Sequence, residues 1–284
     1  MNLQKSIIHA GLQKPVKLLH VTDTHLNLAD DRDDESKREL AVREAKALLD
    51  EDGRIERYLA EHIAYAEENC DLLVHTGDLV SFVSHGNAER ARALLRNEKI
   101  FFIAGNHEYS QFVGEAWEDP AYRMNSYMQM GYGLGVPMLF NSRVVGGLNV
   151  VGMDNSYYQF EDWQLWHLKR EAEKGLPMLL AFHDPLFEQS LYDHHRALHP
   201  DAGCTYLTGC DEEHLLPYSE FRALQQRPEP ATLRLIDYIK KEPLVKGILT
   251  GHLHFSFESL LDGRVPQLVT GAGFFGEARE VTVV

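Results

Sequence analysis

Six short apolar runs, each closing on a polar residue, constrain this chain more than anything else in it. They are VKLLHVTD (16–23), DLLVHTGD (71–78), KIFFIAGN (99–106), LNVVGMDN (148–155), PMLLAFHD (177–184) and VKGILTGH (245–252). Each has the length of a strand, is rich in Val, Ile, Leu and Phe, and is bounded by Gly, Asp or Asn, which predicts buried strands. Between them, residues 37–50, 55–69, 87–97 and 162–175 repeat apolar side chains at helical spacing, with Trp163 and Trp166 expected in the core beside Leu165 and Leu168. The alternation predicts βα units, hence a layered α/β fold with helices outside a buried sheet.

Two stretches break this rhythm. The charge run 30–39 reads as a solvated loop entering a helix. Residues 185–230 have little strand pattern and several Pro and Gly, so they are expected to form an irregular, cap-like segment inserted into a single domain spanning 1–284.

The strand ends carry the chemistry. They supply Asp23 and His25, Asp78, Asn106 and His107, His183, and His252 and His254. Loops at one edge of an α/β sheet are where such folds gather their sites. In extended backbone, side chains two residues apart point the same way, so Asp23 with His25, and His252 with His254, can each converge on one point. Asp23, His25, Asp78, Asn106, His183, His252 and His254 are therefore candidate metal ligands. If Asp78 bridges, they offer four protein ligands to each of two divalent ions. Mixed N and O donors suit Mn, Fe, Zn, Co or Ni. Two such ions outweigh two carboxylates and a bridging hydroxide, so the site would attract an anionic phosphate.

The remaining composition narrows the partners. With 28 basic and 43 acidic residues the formal charge is −15, which argues against long nucleic acids and anionic membranes. Cys70, Cys204 and Cys210 form no CxxC pair, and the first twenty residues contain no run of signal-peptide or membrane-spanning length. A reducing, cytoplasmic location is the expectation.

The ordered set DTH, GD, GNHE, a strand-end His and GHLH resembles the calcineurin-like metallophosphoesterase superfamily from about Lys17 to the C-terminus. That resemblance implies a four-layer α/β/β/α sandwich. It also implies a dinuclear centre with Asp23, His25, Asp78 and His254 on one ion and Asp78, Asn106, His183 and His252 on the other. His107 matches the histidine that faces the substrate and protonates the leaving oxygen. The second block reads GDLVSFV, with Ser81 where protein phosphatases of the superfamily carry Asp and purple acid phosphatases a tyrosine ligand, so both subclasses lose ground. The stretch NVVGMDNSYYQF followed by FHDPLF is similar to bacterial small-substrate members, including class III cyclic-nucleotide phosphodiesterases.

The expected function is metal-dependent hydrolysis of a small phosphomono- or phosphodiester, with a bridging hydroxide as nucleophile and His107 as general acid. A protein phosphatase, a nuclease and a non-catalytic metal scaffold are the alternatives. His20, His75 and Asp154 are expected to be structural or to support the ligands from behind. His194, His195, His199, His214, Cys204 and Cys210 in the insertion read as ordinary loop residues, and Gly271 and Gly273 as a turn. Gly105 is expected to let the backbone bend tightly ahead of Asn106 and His107. Glu108 has no assigned role.

Overall fold

The computed structural model describes residues 1–113, 120–215 and 225–284. One sheet contains β1 (Asn2–Ile8), β2 (Val16–Val21), β3 (Leu72–His75), β4 (Ile100–Phe102) and β11 (Glu277–Val283), in the order β1-β11-β2-β3-β4. The other contains β5 (Phe140–Val145), β6 (Leu148–Met153), β7 (Met178–Ala181), β8 (Val245–Thr250), β9 (Phe257–Leu261) and β10 (Val265–Val269), in the order β5-β6-β7-β8-β10-β9. The six apolar runs form the parallel centres of the two sheets, β2-β3-β4 and β6-β7-β8.

The sheets face each other across one apolar layer. Leu18, Val74 and Phe101 of the first meet Val150, Leu179 and Leu249 of the second. Helices close both outer faces. Leu59 and Ala66 of α2 (Arg54–Asn69) and Ala91 and Leu94 of α3 (His85–Leu95) lie in the cores against the first sheet. Leu168 of α5 (Asp162–Ala172) and Leu235 and Ile239 of α7 (Pro230–Lys241) pack beneath the second. The result is the expected four-layer α/β/β/α sandwich, in which burial on both faces explains why the central strands are apolar throughout.

The charge run resolves as expected, into a loop whose Asp34 caps α1 (Glu35–Ala47) by accepting the Lys37 N–H. Two expectations fail. The tryptophans are not core residues: Trp163 is 40 % and Trp166 56 % exposed, because the inward face of α5 runs through Gln164 and Leu168. Residues 185–230 are also not irregular throughout, since they contain α6 (Gln189–Leu198), whose Leu191 is fully buried. Residues 216–224 of that segment lie outside the described residues.

Candidate metal centre

The loops leaving β2, β3, β4, β7 and β8 meet at one edge of the sandwich. Asp23 N–H donates to the Gly77 carbonyl at 3.0 Å and His25 N–H to the Asp78 carbonyl at 2.9 Å, so the first two loops are laced together. The Gly251 N–H donates to the His183 carbonyl at 3.0 Å, and the His252 N–H to Asp23 Oδ2 at 2.9 Å. This lacing sets a backbone that the sequence reading did not foresee. Asp23, His25, Asp78, His252 and His254 have φ between 50° and 68°, in the left-handed region rather than the extended one. Asp23 and His25 do converge, but through strained loop backbone held by neighbours, whereas His252 and His254 turn to different groups of donors.

Gly105 also differs from expectation. Its φ of −105° is ordinary extended backbone, so it is not there to bend the chain. A Cβ on Gly105 would lie 2.3 Å from Asp78 Oδ1, and close approach of the two loops is what requires glycine.

Six of the seven candidate ligands come together in two groups. Asp23, His25 and His254 bring donor atoms within 4.8 Å of one another, as do Asp78, His183 and His252. Asp23 Oδ1 lies 3.2 Å from His254 Nε2 and 3.8 Å from His25 Nε2. Asp78 Oδ2 lies 3.1 Å from His183 Nε2 and 3.7 Å from His25 Nε2, which places this carboxylate between the groups. Asn106 Oδ1 and His25 Nε2 are buried without a hydrogen-bond partner. Buried polar atoms are normally satisfied. Orphaned donors beside grouped carboxylates and imidazoles therefore fit divalent cations.

Several contacts fix which ring nitrogen faces the centre. His183 Nδ1 donates to the Thr76 carbonyl at 2.8 Å, leaving Nε2 toward Asp78. His252 turns Nδ1 toward His183 Nε2 at 3.2 Å, while its Nε2 meets the Tyr158 hydroxyl at 3.3 Å. His107 Nδ1 donates to the Ser81 carbonyl at 2.6 Å, and its Nε2 lies 3.9 Å from Asp78 Oδ2. His107 thus also groups with His25 and Asp78.

The electrostatics reflect close packing of opposite charges. Burial works against ionising Asp23 and Asp78, yet His183 and the other imidazoles hold both carboxyls below their usual range. Burial also opposes protonation of His183, but Asp78 and Asp23 raise it well above the ordinary histidine value. His25 goes the other way, lowered to about 4 by burial and then by His107.

Three supporting residues went unassigned in the sequence reading. Glu108 is fully buried, and its two oxygens accept N–H donations from Gly105, Asp78, Leu79 and Val80 at 2.7, 2.9, 2.8 and 3.2 Å. Burial and the Asp78 carboxylate push the Glu108 carboxyl up to about 8, and the four donors work against that rise. Asp184 accepts the Tyr158 N–H at 3.0 Å and keeps Oδ1 3.4 Å from His252 Nδ1. Its place directly after His183 was the available signal. Tyr158 gave none, because its contact with His252 joins two loops of the second sheet that lie 94 residues apart in sequence.

His20 and His75 are buried behind the ligands. His20 contacts the Thr76 hydroxyl at 2.8 Å and the Thr270 hydroxyl at 2.7 Å, and His75 the Thr24 hydroxyl at 2.8 Å. Asp154 is structural, accepting from the Tyr109 hydroxyl at 2.7 Å and pairing with Arg123. Cys70, Cys204 and Cys210 are buried. No helix among the described residues is long and apolar enough to cross a membrane.

The sequence model of the calcineurin-like phosphoesterase family matches residues 16–256. A 3′,5′-cyclic adenosine monophosphate phosphodiesterase from Vibrio vulnificus is 25 % identical over 250 residues, covering 85 % of this chain and 71 % of that one. A dimetal phosphatase from Danio rerio aligns over 92 % of this chain and 89 % of its own, with 12 % identity and a TM-score of 0.43. A candidate 5′-nucleotidase from Staphylococcus aureus aligns over 92 % of this chain, with 12 % identity and a TM-score of 0.45, and this chain spans about half (49 %) of its length.

Proposed function

Because this chain belongs to the calcineurin-like phosphoesterase family, whose members hydrolyse phosphoesters, we propose that it cleaves a small phosphodi- or monoester with the help of two divalent ions. Asp23, His25, Asp78 and His254 would hold one ion, and Asp78, Asn106, His183 and His252 the other. When bound, the ions would supply an activated water and positive charge for the phosphoryl oxygens.

The chain's own residues do the rest. Asp78 supplies the carboxylate shared between the two groups, at 3.7 Å from His25 and 3.1 Å from His183. Asn106 offers a neutral amide oxygen, which adds no negative charge against an incoming phosphate. His107 is a proton donor rather than a ligand in this reading. Its Nδ1–H is committed to the Ser81 carbonyl, which fixes the ring and frees Nε2 to protonate the departing alkoxide.

The observation that carries the proposal is the orphaned Asn106 Oδ1, a buried oxygen of a residue that lines the same cleft as Asp78 and His252. Similarity to the Vibrio phosphodiesterase supports a cyclic nucleotide among the candidate substrates. Three buried cysteines with no CxxC pair among them suit a reducing, cytoplasmic setting. The test is a phosphoester panel, including cyclic AMP, on metal-stripped protein reconstituted separately with Mn, Fe, Zn, Co and Ni. Turnover with at least one metal is expected. Metal binding without turnover on any ester would leave only a metal scaffold.

A further inference from the structure

A cleft of about 940 Å³ opens above the metal ligands Asp78, Asn106, His252 and His254. That is the size of a small-ligand site. Its far wall comes from the segment that follows β7, through His195, Leu198, His199 and Tyr206. Tyr157, Tyr158 and Phe255 continue the aromatic lining, and no Lys or Arg lines the cleft among the described residues.

Tyr206 stands out within this wall. Its φ of 56° is left-handed, which is a strained conformation for a bulky side chain. The backbone around it is pinned. Thr205 donates its N–H and hydroxyl to Gln226 Oε1 at 2.9 and 2.8 Å. Thr208 donates its N–H to the Pro185 carbonyl at 2.8 Å and accepts from Asn155 Nδ2 at 3.0 Å. Cys204, Thr205, Leu207 and Thr208 are all buried, whereas Tyr206 is only half-buried and lines the cleft. Its ring centroid lies 5.6 Å from that of His252 and 5.6 Å from that of His195. Strain that surroundings impose on one residue of a pinned segment is a pointer to function.

We propose that Tyr206 is a specificity-determining residue. In this role its ring forms a stacking face for the organic group of the substrate, selecting phosphoesters that carry a flat aromatic heterocycle. This deepens the hydrolase reading above and rests on it. Aromatic faces accept any π-system without charge pairing, so they suit a base or aryl group. Among the described residues the cleft lining has no lysine or arginine to neutralise additional phosphates. A single phosphate at the ions with an aromatic group against Tyr206 matches the lining, and polyphosphates and nucleic-acid strands do not.

The test measures binding rather than turnover. Isothermal titration of the Mn-loaded protein would compare methylphosphonate with the phosphonate analogue of adenosine 5′-monophosphate, whose P–C bond resists hydrolysis. The nucleoside analogue is expected to bind about tenfold tighter or more. Tyr206→Ala should remove most of that ratio and Tyr206→Phe should keep it. If the alanine variant does not fold, Tyr206→Asn removes the ring with a residue that tolerates the left-handed backbone. Equal binding of the two phosphonates, or a ratio unchanged without the ring, overturns the proposal. So does a loss of metal affinity with the ratio intact, which would make Tyr206 a packing partner of His252. These outcomes are separate from failure of the hydrolase reading, which would show as no turnover of any ester while methylphosphonate still binds.

Discussion

Glu108 holds Asp78 by the backbone: its Oε2 accepts the Asp78 N–H at 2.9 Å, and the same oxygen accepts the Gly105 N–H at 2.7 Å. One carboxylate therefore joins the loop bearing Asp78 to the loop bearing Asn106 and His107. Glu108→Gln would turn an amide N–H₂ toward backbone donors. It is expected to cost about 2 kcal/mol or more of stability and to weaken metal binding roughly 10- to 100-fold. Thermal melts and a metal titration check this, and unchanged values in both would leave Glu108 without the bracing role.

His107→Asn should leave metal content intact and lower kcat by about 10²- to 10⁴-fold, the usual contribution of a positioned proton donor. Elemental analysis alongside steady-state kinetics separates the two effects. If the variant loses metal instead, His107 belongs with the ligands His25 and Asp78 that it already approaches.

Removal of metal tests the left-handed backbone. Ions that bind only the folded chain add about 2.7 kcal/mol at a hundredfold excess over Kd. A chelator should lower the melting temperature, and added Mn should restore it. The drop should be smaller in Asp78→Asn than in His254→Ala at the same metal concentration, because Asp78 faces both groups and His254 only one, so losing Asp78 weakens binding more.

Tyr158→Phe removes the hydroxyl that meets His252 Nε2 at 3.3 Å. Loss of such support behind a ligating histidine typically weakens metal binding about 10-fold or more. Competition with a fluorescent chelator would reveal it. Wild-type affinity in the variant would show that Asp184 and the backbone suffice to orient His252.

The pH dependence of folding has a specific contributor in His62, which is fully buried on α2 and lowered from 6.5 to about 4, chiefly by burial. The unfolded chain binds this proton more readily than the folded one. His62 therefore contributes full stability above pH 6.5 and loses it as the pH falls toward 4, by roughly 3 kcal/mol in all. Denaturant melts of the chelated protein across that window should slope less steeply in His62→Gln. An identical slope would assign the acid sensitivity to other groups.

Much of the candidate site was readable because its candidate ligands close strands that are buried on both faces, so an apolar run ended by Asp, Asn or His marks both the strand and a candidate ligand. The rest depends on contacts far apart in sequence. Glu108 finds its partners in the backbone of residues 78 to 80, where no side-chain pattern points to it. The left-handed φ of Asp23 follows from its N–H reaching Gly77 across the sheet edge. Strand β11 was missed because Arg279 and Glu280 interrupt its apolar pattern, yet both are buried, Arg279 by pairing with Glu258. Trp163 and Trp166 misled because their helical spacing grouped them with Leu165 and Leu168, whereas they pack around His167 at the surface, with ring centroids 5.7 and 4.7 Å away.

The first sheet also ties together residues far apart along the chain. Strand β11 lies between β1 and β2, so among the described strands β1 pairs only with a segment that follows His252 and His254 in sequence. The sheet is complete only once the segment beyond those two histidines has taken its place, and β1 acts as a latch on that closure.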